Sequence, residues 1–176
     1  MIKAVSRAQF IRGDVLGNRS QPRPPWARSE QLFTELCTRC DACIKACAEK
    51  ILVRGQGGFP QVDFMRGECT FCQACLTACQ EGALSADTSP AWLLKAVIED
   101  TCLAYRGVAC MTCAEQCEME AIHFQPRIGG VPFPIIDMDS CTGCGACYKP
   151  CPNRAIRLLD TDTYNPELQL QKVEAS

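Results

Sequence analysis

Histidine is almost missing from this sequence, with His123 alone among 176 residues. That scarcity, with no serine or cysteine set beside a base, leaves no candidate constellation for acid–base or nucleophilic catalysis, and it argues against mixed Cys/His zinc sites. A Gly-rich phosphate loop and a nicotinamide fingerprint are missing too, so no independent enzyme is expected. Long apolar runs are also lacking, whereas a membrane span needs about 20 consecutive apolar residues. In the first eighteen residues the apolar pairs Phe10-Ile11 and Val15-Leu16 are separated by Arg12, Gly13 and Asp14. A secretory signal would need about 7 to 15 apolar residues in succession, so a soluble, cytoplasmic protein without a membrane anchor is expected. Excess positive charge is absent as well: the formal charge is −2, which gives no footing for nucleic acid.

What the chain has instead is cysteine, sixteen residues in all. That is roughly 9% of the chain, a level that in a short secreted protein signals a disulfide scaffold. In a cytoplasmic protein disulfides are rare, and the same cysteines are better read as metal ligands.

Their spacing is regular. Cys37, Cys40, Cys43 and Cys47 form one C-x2-C-x2-C-x3-C run, and Cys69, Cys72, Cys75 and Cys79 form a second. Cys141, Cys144, Cys147 and Cys151 repeat it and are followed by Pro152. This is the bacterial iron–sulfur run, in which three closely spaced thiolates wrap one corner of a [4Fe-4S] cubane and the fourth cysteine serves the neighbouring cluster. Crossed ligation is therefore predicted: Cys37, Cys40 and Cys43 with Cys79, and Cys69, Cys72 and Cys75 with Cys47. A zinc scaffold would use two separated C-x2-C pairs per site, which fits these triplets poorly.

The remaining quartet is stretched. Cys102 is followed by Leu103 to Ala109 before Cys110, Cys113 and Cys117. Each doubling of a loop costs only about 0.6 kcal/mol in closure entropy, so this run can still close on a cluster. The same crossing predicts Cys102, Cys110 and Cys113 with Cys151, and Cys141, Cys144 and Cys147 with Cys117. All sixteen cysteines are thus candidate iron ligands for up to four [4Fe-4S] clusters. Four oxidised cubanes with their thiolates would take the formal charge from −2 to roughly −10, which favours a basic partner surface.

An internal duplication sets the architecture. Gly57-Gly58-Phe59-Pro60 precedes Cys69 at the offset at which Gly129-Gly130-Val131-Pro132 precedes Cys141. Each Gly-Gly predicts a hairpin turn, and each following stretch, Gln61 to Phe64 and Phe133 to Asp137, predicts a strand. Ile51-Leu52, Ala83-Leu84, Ala121-Ile122 and Ala155-Ile156 lie behind the fourth cysteines and read as short turns ending in strands. An α+β fold of two tandem bacterial-ferredoxin-like modules follows, at 31–88 and 89–160, with an N-terminal arm at 1–30 and a tail at 161–176. Modules this small cannot build an adequate apolar core alone, so cluster loading is expected to be coupled to folding.

Within this plan Asp87 to Pro90 reads as a turn, and a strand near Lys95 to Ile98 is preferred to a helix begun at Ser89-Pro90. Pro22, Pro24 and Pro25 preclude a regular element, predicting an arm laid over the surface and anchored by Trp26. Phe71, Tyr105 and Tyr148 are expected to shield the cubanes from water, and His123 to be a packing residue rather than a ligand.

The stretches Ser6-Arg7, Arg12-Gly13, Arg23-Pro24-Pro25-Trp26, Cys37 to Ile44, Gly57 to Pro60, Ala91-Trp92, Cys102-Leu103-Ala104-Tyr105 and Cys144 to Cys147 together resemble the NapF family, the ferredoxin-type accessory proteins of periplasmic nitrate reductase systems. The arm and the stretched third quartet make the match specific. The resemblance implies a cytoplasmic protein that binds the precursor of the catalytic subunit NapA and assists its maturation before export. A polyferredoxin that feeds electrons to a reductase, with no assembly role, is the alternative. Ser6 to Ile11 looks like a degraded twin-arginine motif, with one arginine missing and no apolar region after it, and is not expected to direct export.

Overall fold

The computed structural model describes residues 22–87 and 90–161. The export-like stretch Ser6 to Ile11, Thr88-Ser89 of the expected turn and residues 162–176 of the tail lie outside them. The chain divides into two compact units, one made of Met1–Asp63 with Cys72–Ala91, the other of Phe64–Phe71 with Trp92–Ser176. Both are built from short helices and small antiparallel sheets, the α+β organisation read from the sequence.

In the first unit the elements are α1 (Glu30–Leu36), α2 (Ala42–Ala46), β1 (Leu52–Arg54), β2 (Pro60–Val62) and α3 (Ala74–Thr77). β1 and β2 form the expected hairpin, with Leu52 opposite Val62 and Arg54 opposite Pro60. Gly57 and Gly58 turn it at φ 64° and 78°, the left-handed region that glycine enters without a Cβ penalty. Pro60 opens the second strand, where a missing N–H is tolerated, but that strand stops at Val62, and Phe64 lies in a turn.

The proline segment departs from expectation. Pro24 and Pro25 are fully buried and Trp26 is 9% exposed, so this stretch runs through the core rather than over the surface. It is held by backbone bonds: Val62 N–H to Pro22 O at 2.8 Å, Trp26 N–H to Ala91 O at 2.6 Å and Ser85 N–H to Trp26 O at 2.9 Å. Only Ala27 and Leu84 form a β-bridge here, in place of the strand expected behind Cys79. Prolines cannot donate to a ladder, which keeps the pairing to a single bridge. Arg23 pins the segment, gripping both carboxylate oxygens of Glu30 at 2.6 and 2.8 Å while lying 5.0 Å over the Phe33 ring. Helix α1, unforeseen in the sequence, buries Phe33 to 1% exposure.

The second unit holds β3 (Leu94–Ile98), α4 (Thr112–Glu115), β4 (Ile122–Gln125), β5 (Phe133–Ile136) and β6 (Ile156–Asp160). β3 is the expected strand, and it pairs antiparallel with β6, Ile98 opposite Ile156. Leu94, Ala96 and Ile98 alternate inward, the period-two pattern of a strand with one covered face. β4 and β5 form the second hairpin, Ile122 opposite Ile136, across the Gly129-Gly130 loop. Cys141 and Cys147 are buried in one cluster with Ala96, Ile98, Ala121, Ile122, Ile136 and Ile156. Full burial of each isoleucine is worth about 1.5 to 3 kcal/mol, so thiols and aliphatic side chains share the core as packing partners.

Among the described residues no polar or charged side chain is buried and no helix is long and apolar enough to cross a membrane.

Candidate iron–sulfur centres

The cysteine loops owe their shape to backbone torsions that side chains usually avoid. In the three regular quartets the residues just before and just after the second cysteine are left-handed: Arg39 and Asp41, Phe71 and Gln73, Gly143 and Gly145, with φ between 52° and 87°. This repeated reversal bends the chain on both sides of the second cysteine, leaving Cys40 and Cys72 exposed and Cys43, Cys75 and Cys147, the third cysteines, buried. Position three after each fourth cysteine is left-handed too, at Lys50, Gly82, Glu120 and Arg154. The turn brings the following N–H groups back onto sulfur. Ala121 N–H donates to Cys117 Sγ at 3.3 Å, Ala155 N–H to Cys151 Sγ at 3.2 Å and Leu84 N–H to Cys79 Sγ at 3.5 Å. Hydrogen bonds to ligating sulfur stabilise its negative charge and tune a cluster's potential.

All sixteen cysteines are free of disulfides. In the first unit Cys37, Cys40, Cys43 and Cys79 line one cavity, with Phe33 and Leu84 in its wall. Helices α2 and α3 pack together there, so Cys43 also lies near Cys75. Burial first, then Cys37, Cys75 and Cys79, push the Cys43 thiol up to about 12, with partial relief from the Ile44 N–H. Cys47 caps the end of α2 half-buried, its N–H on Ile44 O and its carbonyl accepting from Lys50. Of the second run, Cys72 and Cys75 belong to the first unit and Cys69 to the second.

The second unit gathers two further groups. Burial, followed by Cys102, raises the Cys113 thiol to about 11, and Cys151 adds to the rise. Cys147 is driven upward by burial and then by Cys144, Cys141, Cys113 and Cys117. Cys144 is raised by burial, with Glu68 and Cys117 adding smaller contributions. The fourth cysteine of each run in this unit thus neighbours the triplet of the other. Like charges crowded in an apolar pocket are unfavourable as bare thiolates, and iron resolves that conflict.

The stretched third run is ordered locally. Residues Ala104–Arg106 make a 3-10 turn closed by Gly107 at φ 78°, Ala104 is buried, and Tyr105 donates from its hydroxyl to Pro134 O at 3.3 Å. Met111 has φ −126°, so this run lacks the left-handed step that precedes α2 and α3.

Aromatic cover is wider than the sequence suggested. Tyr105 and Tyr148 pack on the core that contains Cys141 and Cys147. Phe71 meets Trp92 edge-on at 5.5 Å, Trp92 meets Phe64 at 5.8 Å, and Phe64 meets Tyr148 at 6.2 Å. Phe64 and Trp92, which lie outside the cysteine runs, thus join Phe71 and Tyr148 in one aromatic chain. Asp137 prepares the fourth loop, accepting from Ser140 Oγ at 2.6 Å and Asp139 N–H at 3.0 Å. Those bonds hold its carboxyl below the usual range. His123 is exposed on β4 rather than packed. Among the described residues no three His, Cys, Asp or Glu side chains converge as a single-ion site requires. A cubane instead spreads its four thiolates over four irons, and the all-thiol, disulfide-free donor sets fit that soft ligand chemistry.

The comparisons agree with this chemistry. The 4Fe-4S dicluster domain family matches residues 36–83 and the 4Fe-4S binding domain family matches 134–157, so the stretched run lies outside both matched segments. The ferredoxin-type protein NapF of Escherichia coli K12 is 48% identical over 134 residues, covering 76% of this chain and 82% of that protein. NapF of Haemophilus influenzae is 40% identical over 169 residues, covering 90% and 96%. The methylamine utilization ferredoxin-type protein MauM of Methylophilus methylotrophus is 36% identical over 157 residues, covering 78% and 70%. With its thiol sets and this kinship, the chain is an iron–sulfur protein of multiple [4Fe-4S] clusters and belongs to the NapF family of ferredoxin-type proteins.

Proposed function

We propose that the chain holds four [4Fe-4S] clusters on its sixteen cysteines in the crossed sets given above, within modules at 31–88 and 89–160. It acts in the cytoplasm, where it binds the precursor of the periplasmic nitrate reductase subunit NapA and assists its maturation before export. The observation that carries the reading is the kinship with proteins named NapF at 40% to 48% identity over most of the chain. The crossed assignment is supported by the approach of Cys79 to Cys43, Cys151 to Cys113 and Cys117 to Cys147. When bound, the clusters supply one-electron chemistry. The chain's own groups bind them, exclude water with Tyr105 and Tyr148, and donate N–H bonds to sulfur.

The second reading, electron transfer without an assembly role, draws support from MauM, whose name places it in methylamine utilization. Kinship across two systems suits a shared iron–sulfur core with different partners. Anaerobic co-purification with NapA separates the readings. A maturation factor captures the precursor and not the finished enzyme; capture of the finished enzyme alone overturns that role in favour of the carrier. Iron and acid-labile sulfide near sixteen each per chain are expected, and stoichiometric zinc without sulfide would sink both readings.

A further inference from the structure

The two copies of the repeat turn different surfaces to solvent. Counted from Cys40 and Cys110, Thr38, Arg39, Asp41 and Glu49 of the first copy correspond to Val108, Ala109, Met111 and Met119 of the second. The local frame is shared, since α2 packs on β1 as α4 packs on β4. In the first copy polar groups occupy that frame: Arg39 donates to Gly57 O at 3.2 Å, and Asp41 is ion-paired with Arg54. At the places of that ion pair the second copy has Met111 and Phe124.

Val108, Met111 and Met119 are each about half exposed. Bonds from Glu115 N–H to Met111 O at 3.3 Å, Cys117 N–H to Ala114 O at 3.0 Å and Glu120 N–H to Cys117 O at 2.9 Å wind residues 111–120 into consecutive turns. Met111 and Met119 are thereby kept in one small region. One exposed apolar side chain is ordinary; three within twelve residues, where the duplicate is polar, mark a surface that meets another apolar one. Its rim is acidic. Glu115 and Glu120 are exposed, and neither is ion-paired with another described residue, whereas the first copy carries Lys45 and Lys50 at these positions.

Charge selects the occupant. A second copy of this chain would set the acidic rim against itself, an unfavourable juxtaposition. The complementary partner presents apolar side chains flanked by lysine or arginine. A chain still unfinished leaves such segments uncovered, and folding buries most of them. Methionine, unbranched and polarisable, adapts to an irregular apolar partner.

We propose that the face around Met111 and Met119 docks the NapA precursor, through an apolar segment of it flanked by lysine or arginine. This assignment rests on the reading above in which that precursor is the partner.

The test measures anaerobic binding of purified NapA precursor to the full, cluster-loaded chain at low and at high salt. Met111→Gln combined with Met119→Gln should weaken binding by about tenfold at unchanged iron content, as truncation at the centre of an interface does. Glu115→Lys combined with Glu120→Lys should also weaken it and remove most of its salt dependence. Met111→Leu with Met119→Leu, which keeps the apolar surface, should bind like the wild type. So should Leu32→Gln, a change at an exposed leucine of the first unit. Undiminished binding by the fully loaded glutamine variant overturns the docking face, and so does an equal loss in Leu32→Gln. A wild-type dimer that the two glutamines dissociate would overturn it in favour of a second copy. Failure of the wild type itself to bind would remove the partner, and the docking face with it, a result distinct from binding that survives the glutamines.

Discussion

The indole N–H of Trp92 donates to the carbonyl oxygen of Thr142 at 2.9 Å, tying the start of the second unit's longer segment to the inside of the fourth cysteine loop. The same ring meets Phe64 and Phe71 edge-on. Trp92→Phe keeps part of the ring contact and loses the bond, at a cost of about 1 kcal/mol. Trp92→Ala loses both and should cost about 3 kcal/mol. Anaerobic thermal melts should rank the variants in that order, with the alanine form bleaching fastest in air.

Crossed ligation makes an arithmetic prediction about pairs of substitutions. Cys37→Ala with Cys79→Ala removes two ligands of one cluster, so about four irons should be lost. Cys37→Ala with Cys47→Ala, which changes one run instead, strikes two clusters and should lose about eight. The reverse, about eight irons lost from the first pair and about four from the second, would place Cys47 and Cys79 in their own runs.

Glycine matters at two places for different reasons. Gly107 closes the 3-10 turn of the stretched run at φ 78° with nothing within 4 Å of an added Cβ. Gly107→Ala should therefore cost only the backbone penalty, about 1 to 2 kcal/mol. Gly143→Ala adds a collision with Leu94 O and should lower cluster content as well as stability. Iron analysis of the two variants, purified side by side, checks the contrast.

Acid should accelerate iron loss. Burial pushes the Cys43 thiol up to about 12 and the Cys113 thiol up to about 11, so both carry protons at neutral pH when iron is absent. Ligation displaces those protons, and each fall in pH raises the competition against iron until the thiolates are lost. Release to a chelator, followed by absorbance and far-ultraviolet circular dichroism, should quicken as pH drops from 8 to 6. The two signals should fall together, because the clusters fill the core.

Much of this was legible in cysteine spacing, since sulfur positions along the chain constrain a cubane more tightly than any apolar pattern constrains a core. The hairpins at Gly57-Gly58 and Gly129-Gly130 and the strand β3 followed from turn chemistry and alternation. The burial of Pro24 and Pro25 did not, because proline content reports a missing N–H and says nothing about which surface covers the ring. Phe64 and Trp92 were hidden for a related reason: their contacts join residues far apart in sequence, which local spacing cannot register. The fourth loop showed its glycines plainly, yet the reason for them lay in Phe64 and Leu94, which crowd an added Cβ on Gly145 and Gly143 and are distant partners that only folding brings close.

The left-handed residue that follows each fourth cysteine is Lys50, Gly82, Glu120 or Arg154. One backbone instruction is thus written four times with cationic, neutral, anionic and cationic side chains, and the three charged ones are exposed. Fold and electrostatic setting are separately adjustable at this position. Mutational drift there can retune the charge near one centre and leave the other three cages untouched, so the repeat can diversify centre by centre without renegotiating its architecture.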